Sequence, residues 1–421
     1  MEGKEEESVE ELIKKSRYCF EKRNNQEAKE TLERALAIQR NELGEDDLTV
    51  AWILYQIGTI LAEEDNFDEA FEKFDRALAI RVEKLGTHLE TANSYMSIGV
   101  VLESQDNGEK AEVMFREALG IYLEILPRNH SEVMDAYLHL ASSLKKQGKL
   151  SQATKIHKLR LGTLLQIHGE DHQGVVLSYN GISELLRIQN RLDDALQMID
   201  RAVEICNRLE RLGDFDMDLL GRALYNKASI LNEQGNFKAA TEVFNKVLTI
   251  QIEAFGEMHR ATALTYENLA AVYIQQGMIE GAIMAYTNAI NVRRKELGND
   301  HPDTKELLLT LALLKRDKNI TTLNDEGLAR NAEGDSEKAL QLFHQVLDIY
   351  EESSIASPNV AAAYENISTI KVDQGMLEDA IAASAEALKI RRRTLGDGHC
   401  DTKRRMEAHR SLLKRLLVSR S

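Results

Sequence analysis

The sequence predicts an all-α protein, a right-handed superhelical α-solenoid of about nine helix–turn–helix repeats. Nine alanines recur at spacings of 42, 41, 42, 42, 45, 42, 57 and 41 residues, namely Ala28, Ala70, Ala111, Ala153, Ala195, Ala240, Ala282, Ala339 and Ala380. A second column, twelve residues before each alanine, holds only Gly, Ala or Ser, from Ser16 to Ser368. Only 3 of the 421 residues are proline, which suits long helices because proline interrupts helix interiors.

The small residues in these two columns predict close contacts between antiparallel helices. Side chains no larger than alanine let two helix axes approach at the short end of the roughly 8–10 Å range. Larger apolar residues then fill the remaining space, and in the seventh repeat these include Tyr266, Leu269, Tyr273 and Tyr286. Asn or Gly lies between the two helices of each repeat, as at Gly277, where the chain must turn.

The seventh repeat also matches a known helical repeat pattern position by position. Tyr266-x2-Leu269-Ala270-x2-Tyr273, followed by Ala282-x3-Tyr286, has the spacing of the tetratricopeptide repeat, with Tyr in place of the first Trp. The tetratricopeptide period is about 34 residues, whereas the period here is about 42. The additional residues are expected to lengthen the helices and the loops between repeats.

Three segments carry a closer resemblance. The sequences ALAIRVEKLG (77–86), YENLAAVYIQQG (266–277) and RRKELGNDHPDT (293–304) resemble the tetratricopeptide domain of kinesin light chain. The resemblance implies an inner groove that binds peptides of partner proteins. In kinesin light chains a heptad coiled coil precedes the repeats and binds the motor heavy chain.

A coiled coil of this kind needs apolar residues every 3.5 positions over several heptads. Residues 1–15 offer only Met1, Val9, Leu12 and Ile13, and Leu12 already belongs to the first repeat. Because this N-terminal coiled coil is absent, we expect no stable complex with a kinesin heavy chain.

The spacing of 57 residues between Ala282 and Ala339 marks an insertion of 57 − 42 = 15 residues. It is rich in leucine and predicts either an additional helix or an unusually long first helix in repeat eight. The predicted organisation is 1–301 for repeats one to seven, 302–317 for the inserted or extended helix, 318–396 for repeats eight and nine, and 397–421 for a basic C-terminal capping helix.

The C-terminal helix combines cationic and apolar residues. Its cations are Lys403, Arg404, Arg405, Arg410, Lys414 and Arg415. A solenoid needs a terminal cap, and this helix is predicted to supply it. The alternative is a patch that binds acidic partners or a membrane surface.

Composition argues against several functional classes. A net charge of −16 disfavours nucleic-acid binding, which normally needs a basic surface. No run approaches the roughly 18 apolar residues of a membrane span, and the acidic start differs from a targeting peptide. Cys19, Cys206 and Cys400 lie too far apart for a disulfide framework or a zinc motif. We therefore predict a cytoplasmic protein without a cofactor.

No catalytic or phosphate-binding motif is present in the sequence. One histidine column recurs in the loops between repeats, at His130, His172, His259, His301 and His399. Equivalent positions in neighbouring repeats are about 10 Å apart, whereas two imidazoles on one zinc ion need bonds of about 2 Å. We therefore predict that these histidines begin the following helices and bind no metal.

The predicted binding surface is the inner face formed by the first helix of each repeat. Fourteen residues before the alanines stand Gln56, Ser97, His139, Gly181, Asn226, Asn268 and Asn366. In the grooves that this sequence resembles, asparagine at this place bonds the backbone of an extended peptide. An asparagine has donors and an acceptor and suits this contact, but it can instead bond within its own repeat.

These observations predict a non-catalytic adaptor or scaffold that binds an extended peptide or a helical segment of another protein. The alternative is an architectural subunit of a larger assembly, or a motor-associated cargo adaptor. The sequence does not identify the partner.

Overall fold

A computed structural model describes residues 7–213, 216–353 and 355–420 of the chain. This part contains nineteen α-helices and no strand, and 85% helix confirms the predicted all-α class. Within a repeat, the first helix is called the A helix and the second the B helix. The A helices are odd-numbered and the B helices even-numbered.

The helices follow one another with short connections. They are α1 Val9–Glu21, α2 Asn25–Leu43, α3 Leu48–Glu63, α4 Phe67–Leu85, α5 Leu89–Ser104, α6 Gly108–Ile125, α7 Ser131–Lys146, α8 Leu150–His168, α9 Gln173–Ile188, α10 Leu192–Leu212, α11 Met217–Glu233, α12 Phe237–Phe255, α13 Arg260–Gln275, α14 Ile279–Leu297, α15 Pro302–Ala332, α16 Ser336–Ser353, α17 Pro358–Asp373, α18 Leu377–Leu395 and α19 Cys400–Ser419.

The chain divides into two compact units, Met1–Ile250 and Gln251–Ser421. Inside the first unit, A helices contact the A helices of neighbouring repeats, as α3 does α5 and α9 does α11. Inside the second unit α15 contacts α17 in the same way. The boundaries predicted from the insertion, at residues 301, 317 and 396, stay predictions.

The alanine column lies at the centre of each helix pair. All nine alanines have no exposed surface. A Cβ added at Gly99 would lie 2.5 Å from Phe115 Cε1, and one at Gly327 would lie 2.6 Å from Phe343 Cε1. The small residues of the A helices therefore make room for the large aromatic residues of the B helices, which is the close packing that the two columns predict.

Replacing Ala282 by leucine is expected to lower the free energy of unfolding by about 1–3 kcal/mol, because three added carbons overpack a filled core. Ala282 is fully buried and shares a cluster with Tyr266, Tyr273 and Tyr286. Urea denaturation of the variant beside wild type measures the loss. An unchanged midpoint would contradict the close helix contact.

The turns inside the repeats lie where the Asn and Gly residues predicted them. In some repeats, however, the residue with the left-handed backbone conformation is not the Asn or Gly itself. Gly277 has a φ of 71°, as expected from the sequence. In the first three repeats the left-handed residues are Arg23, Asp65 and Asp106, each one position before the predicted asparagine. The asparagine instead precedes the B helix, and Asn24 accepts a hydrogen bond from the backbone N–H of Glu27.

The 15-residue insertion forms part of one continuous helix, α15, which has 31 residues. Of the two forms that the sequence left open, the long first helix of repeat eight is observed. The N-terminal half contacts α14 through Leu314, and Ile320 in the C-terminal half lies in the core with Phe343 of α16. This helix therefore corresponds to two A helices joined end to end.

The column histidines begin A helices, as predicted. In four of them the Nδ1 atom accepts a hydrogen bond from the backbone N–H two residues later, at 3.0–3.3 Å: His172, His259, His301 and His399. His88, which the predicted column did not include, accepts the same bond before α5 at 3.2 Å. Asp47 and Asp216 accept the same type of bond before α3 and α11. His130 precedes α7 without such a bond.

Replacing His259 by alanine is expected to cost about 1 kcal/mol, because the N–H of Ala261 loses its acceptor. His259 Nδ1 lies 3.2 Å from that nitrogen. Replacement by aspartate should retain most of the stability, since Asp47 and Asp216 occupy the same position. Thermal unfolding of the two variants separates a capping role of His259 from a general effect of substitution. Equal losses of stability in both variants would contradict the capping role.

Candidate peptide-binding surface

The predicted groove residues lie midway along A helices and are all half-buried. The first unit holds Gln56 on α3, Ser97 on α5, His139 on α7, Gly181 on α9 and Asn226 on α11. The second unit holds Asn268 on α13 and Asn366 on α17. Their shared place on the A helices follows from the constant spacing to the buried alanines.

At Gly181 the groove column has no side chain, and the imidazole ring of His157 occupies the space that a side chain would take. A Cβ at residue 181 would lie 2.4 Å from Cε1 of His157, which belongs to the B helix α8. Four residues after the alanine, most other repeats carry an aromatic residue such as Phe115. Here the aromatic residue is a histidine that is only 9% exposed, and its Nδ1 has no hydrogen-bond partner among the described residues.

His157 is neutral at neutral pH. The pKa of this imidazole is lowered to about 4, mainly by burial and also by the positive charge of Arg160, while the charge of Glu184 opposes the shift. Arg160 is itself buried and donates hydrogen bonds to the carbonyl oxygen of Gly174 and to Ser178 Oγ, at 2.7 and 2.8 Å. Repeat four thus has polar side chains four and seven residues after its alanine, where most other repeats have apolar ones.

Asn226 is bonded to a second asparagine on the neighbouring A helix. Its Nδ2 donates to Oδ1 of Asn180 at 2.7 Å, and both side chains are half-buried. One donor and one acceptor are used in this bond whichever way the two amides are oriented. The pair keeps the Oδ1 of one residue and the NH₂ of the other for a ligand.

Charged groups connect the A helices that precede this pair in the sequence. Glu103 of α5 accepts a hydrogen bond from Ser142 Oγ at 2.9 Å and lies 3.4 Å from Lys146 Nζ. Burial opposes ionisation of Glu103, but hydrogen bonds from His139 and Ser142 outweigh it and hold its pKa below the usual value. Lys145 of α7 lies 3.0 Å from Glu184 of α9.

The other residues of the groove column differ in whether their side chains form hydrogen bonds within the protein. Ser97 Oγ lies 2.9 Å from Tyr55 Oη, and Asn268 donates to the backbone carbonyl of Leu264 at 2.9 Å. For Gln56 and Asn366, no side-chain hydrogen bond is found in the part of the chain that the structure describes. Bonding inside the repeat therefore holds for Asn268, whereas Asn226 bonds a different repeat.

The second unit contains two largely buried ion pairs that were not predicted from the sequence. Arg293 of α14 lies 2.9 Å from Glu267 of α13, and Arg391 of α18 lies 3.1 Å from Glu365 of α17. In each pair the arginine stands eleven residues after the alanine and the glutamate fifteen before it. That repeated spacing is the signal that could have identified them.

Across the described residues, one group of side chains has metal-ligand chemistry, His399, Cys400 and Asp401. His399 Nδ1 lies 4.0 Å from Cys400 Sγ and already accepts the backbone N–H of Asp401. The group is at a helix N-terminus, where Cys400 is exposed. This arrangement is explained by helix capping.

Several solved structures are similar to the chain. A tetratricopeptide repeat protein from Parabacteroides merdae ATCC 43184 is 17% identical, with a TM-score of 0.51 over 72% of this chain and 98% of that one. The apo form of RapI is 12% identical, with a TM-score of 0.50 over 72% of this chain and 98% of RapI. Repeats of a Podosopora anserina putative kinesin light chain are 16% identical over 48% of this chain and 97% of that one, with a TM-score of 0.45.

No curated protein sequence matches the chain. None of the helices in residues 7–213, 216–353 and 355–420 has the combination of length and hydropathy that a membrane span requires. The sequence profile of the tetratricopeptide repeat matches residues 13–81, 49–124, 132–208, 219–287, 262–319 and 318–393. The predicted resemblance is thus confirmed at the level of this repeat, which is generally a non-catalytic module for protein interaction. The chain belongs to the tetratricopeptide repeat family.

Proposed function

We propose that the chain is a non-catalytic adaptor that binds an extended segment of a partner protein along the A helices of the first unit. The observation that carries the proposal is the Asn180–Asn226 pair. Its remaining amide N–H and carbonyl oxygen complement the C=O and N–H of one peptide group, so the pair can bond a main chain of any sequence.

Sequence preference would come from the charged groups beside the pair. Lys145 and Glu184 on one side and Arg187 and Glu233 on the other connect the A helices α7, α9 and α11. A ligand side chain of either sign can replace one partner in such a half-exposed ion pair at small cost, because exposed pairs contribute only about 0–1 kcal/mol.

The remaining predicted contacts stay proposals. Gln56, Ser97 and His139 would extend the surface toward α3, and Asn268 and Asn366 would form a separate surface in the second unit. The sequence resemblance to kinesin light chain favours selection of cargo-type partners over a purely architectural role. An architectural subunit would bury whole faces of the repeats and would show no preference for extended peptides.

The test uses peptides selected from a random library by binding to the intact chain, followed by fluorescence anisotropy. Replacing Asn180 and Asn226 together by alanine removes two to three hydrogen bonds, and we expect binding to weaken about tenfold or more, at about 0.5–1.5 kcal/mol each. The melting temperature should change little, because the two side chains are half-buried and at the protein surface.

The matched control is the double replacement of Asn207 and Asn245 by alanine. Both are exposed asparagines on B helices of the same unit. This variant should bind the selected peptides as wild type does. If the two double variants bind equally well, the proposed surface is wrong.

A further inference from the structure

The last two helices of the second unit enclose a cationic cleft. It has a volume of about 670 Å³, and the apolar part of its lining, here called the floor, consists of Ala385, Leu388 and Met406. Lys389, Arg392 and Arg393 line the α18 side, and His409 and Arg410 line the α19 side. No acidic residue lines this cleft, although the net charge of the chain is −16.

The positive charge is concentrated on α19 and is partly uncompensated. Residues 400–420 hold seven Lys or Arg and two Asp or Glu, a net charge of 7 − 2 = +5. In the α18 wall, Lys389 lies 3.1 Å from Glu386, and Arg392 lies 2.9 Å from Asp397. For Arg393 and Arg410, on opposite walls, no ion pair or hydrogen bond is found among the residues described.

We propose that this cleft binds an acidic peptide segment that carries one aliphatic side chain between carboxylates. The two guanidiniums on opposite walls can each hold a carboxylate, and guanidinium–carboxylate pairs are the strong charge-assisted type. The aliphatic side chain would cover the floor at Leu388, which is 8% exposed, and at Met406. A volume of several hundred Å³ fits a few residues of a peptide.

The combination of groups distinguishes this ligand from two others. A small anion such as phosphate would satisfy the arginines but leave the apolar floor exposed to water. A membrane surface needs apolar groups that project outward, whereas in this cleft Leu388 is buried and Met406 is half-buried. The exposed Leu417 and Val418 near the end of α19 are not part of this lining.

The probe is a fluorescein-labelled peptide with one leucine between two runs of glutamate, titrated with the full chain and followed by anisotropy. We expect saturable binding that weakens strongly between about 50 mM and about 500 mM salt, since the pairs are near the surface. Replacing the leucine by glycine should weaken binding severalfold, and replacing the glutamates by lysines should abolish it.

The decisive variant is Arg393→Glu with Arg410→Glu, for which we expect at least about a tenfold loss. The matched control, Arg415→Glu with Lys246→Glu, has the same net charge but changes exposed residues outside the cleft, and it should bind as wild type does. Circular dichroism checks that both variants are folded. Equal loss in both variants, or no binding of the peptide by wild type, would overturn the proposal.

Two further probes test whether the cleft instead prefers an anionic membrane or a nucleic acid. Vesicles with phosphatidylserine and a single-stranded RNA oligonucleotide should bind more weakly than the peptide, and preference for either would also overturn it. The site does not depend on the proposed adaptor surface. The Asn180 and Asn226 variant should keep binding to the acidic peptide, and the Arg393 and Arg410 variant should keep binding to library-selected peptides.

Discussion

Replacing Glu365 by leucine is expected to lower the free energy of unfolding of the second unit by about 3 kcal/mol, because it leaves the largely buried Arg391 without its counter-charge. Glu365 is 6% exposed and accepts hydrogen bonds from Arg391 of α18. Arg405 of α19 lies 2.6 Å from the same carboxylate. One side chain thus connects three helices, and the hydrogen bond that Arg391 donates to Glu365 raises the pKa of Arg391.

The comparison variant removes both charges. Replacing Glu365 by leucine and Arg391 by methionine should restore much of the lost stability, since apolar residues of similar volume can replace a buried pair at little cost. Arg405 remains, but its side chain is 39% exposed and can reach water. Urea denaturation measures all three proteins. A double variant no more stable than Glu365→Leu would contradict this interpretation, and Glu386→Leu, at a more exposed pair on α18, is the control.

Acidification is expected to destabilise the first unit through His157. Its pKa is about 4 in the folded protein and 6.5 in the unfolded chain, so the unfolded chain binds the proton more tightly. The stability is complete above about pH 6.5 and is lost as the pH falls toward 4. At about pH 5 the expected loss is about 2 kcal/mol, and it approaches about 3 kcal/mol below pH 4.

The variant His157→Met removes the titrating group and keeps a side chain of similar size. Between pH 7 and 4 this variant should lack the loss of stability that His157 causes in the wild type. The difference in free energy of unfolding between the variant and the wild type should therefore grow as the pH falls. The control His344→Met changes an exposed histidine on α16 and should follow the wild-type pH dependence. Parallel pH profiles for wild type and His157→Met would contradict the assignment.

The fold was predictable because its signals are local and repeated. The alanine column and the Gly, Ala and Ser column specify which residues face each other inside one repeat, and the structure buries them as predicted. The long helix α15 was only partly predictable. The period of 42 residues, counted from the turn at Gly277, places the next turn at Asn319. The helix α15 nevertheless continues through Asn319, because the insertion adds a helical segment that has no B helix of its own.

The candidate surface was predictable in position but not in its contacts. The column places Asn226 on an A helix, but its partner Asn180 is 46 residues away in the sequence and on another repeat. Pairing across repeats depends on the distance between neighbouring helices, which the period alone does not give. The contact between His157 and Gly181 could have been predicted from the sequence. Residue 157 is a histidine in a column that usually holds Phe or Tyr, and residue 181 is a glycine in a column that usually holds a polar residue.

The buried ion pairs illustrate a signal that was present and not used. Arg81 stands at the same place as Arg293 and Arg391, eleven residues after its alanine. Its counterpart fifteen residues before the alanine is Tyr55, and the guanidinium carbon lies 4.6 Å from the centre of that ring. Comparing the repeats column by column would therefore have predicted which residue each arginine contacts.

Photo-crosslinking tests most directly whether the A helices of the first unit bind peptides. Benzoylphenylalanine is placed at Ser229, one turn after Asn226 on α11, or at Asn245 on the B helix α12. With a library-selected peptide and mass spectrometry of the products, crosslinking is expected at residue 229 and only at background level at residue 245. Equal crosslinking at both positions, or crosslinking at residue 245 alone, would contradict the proposed surface.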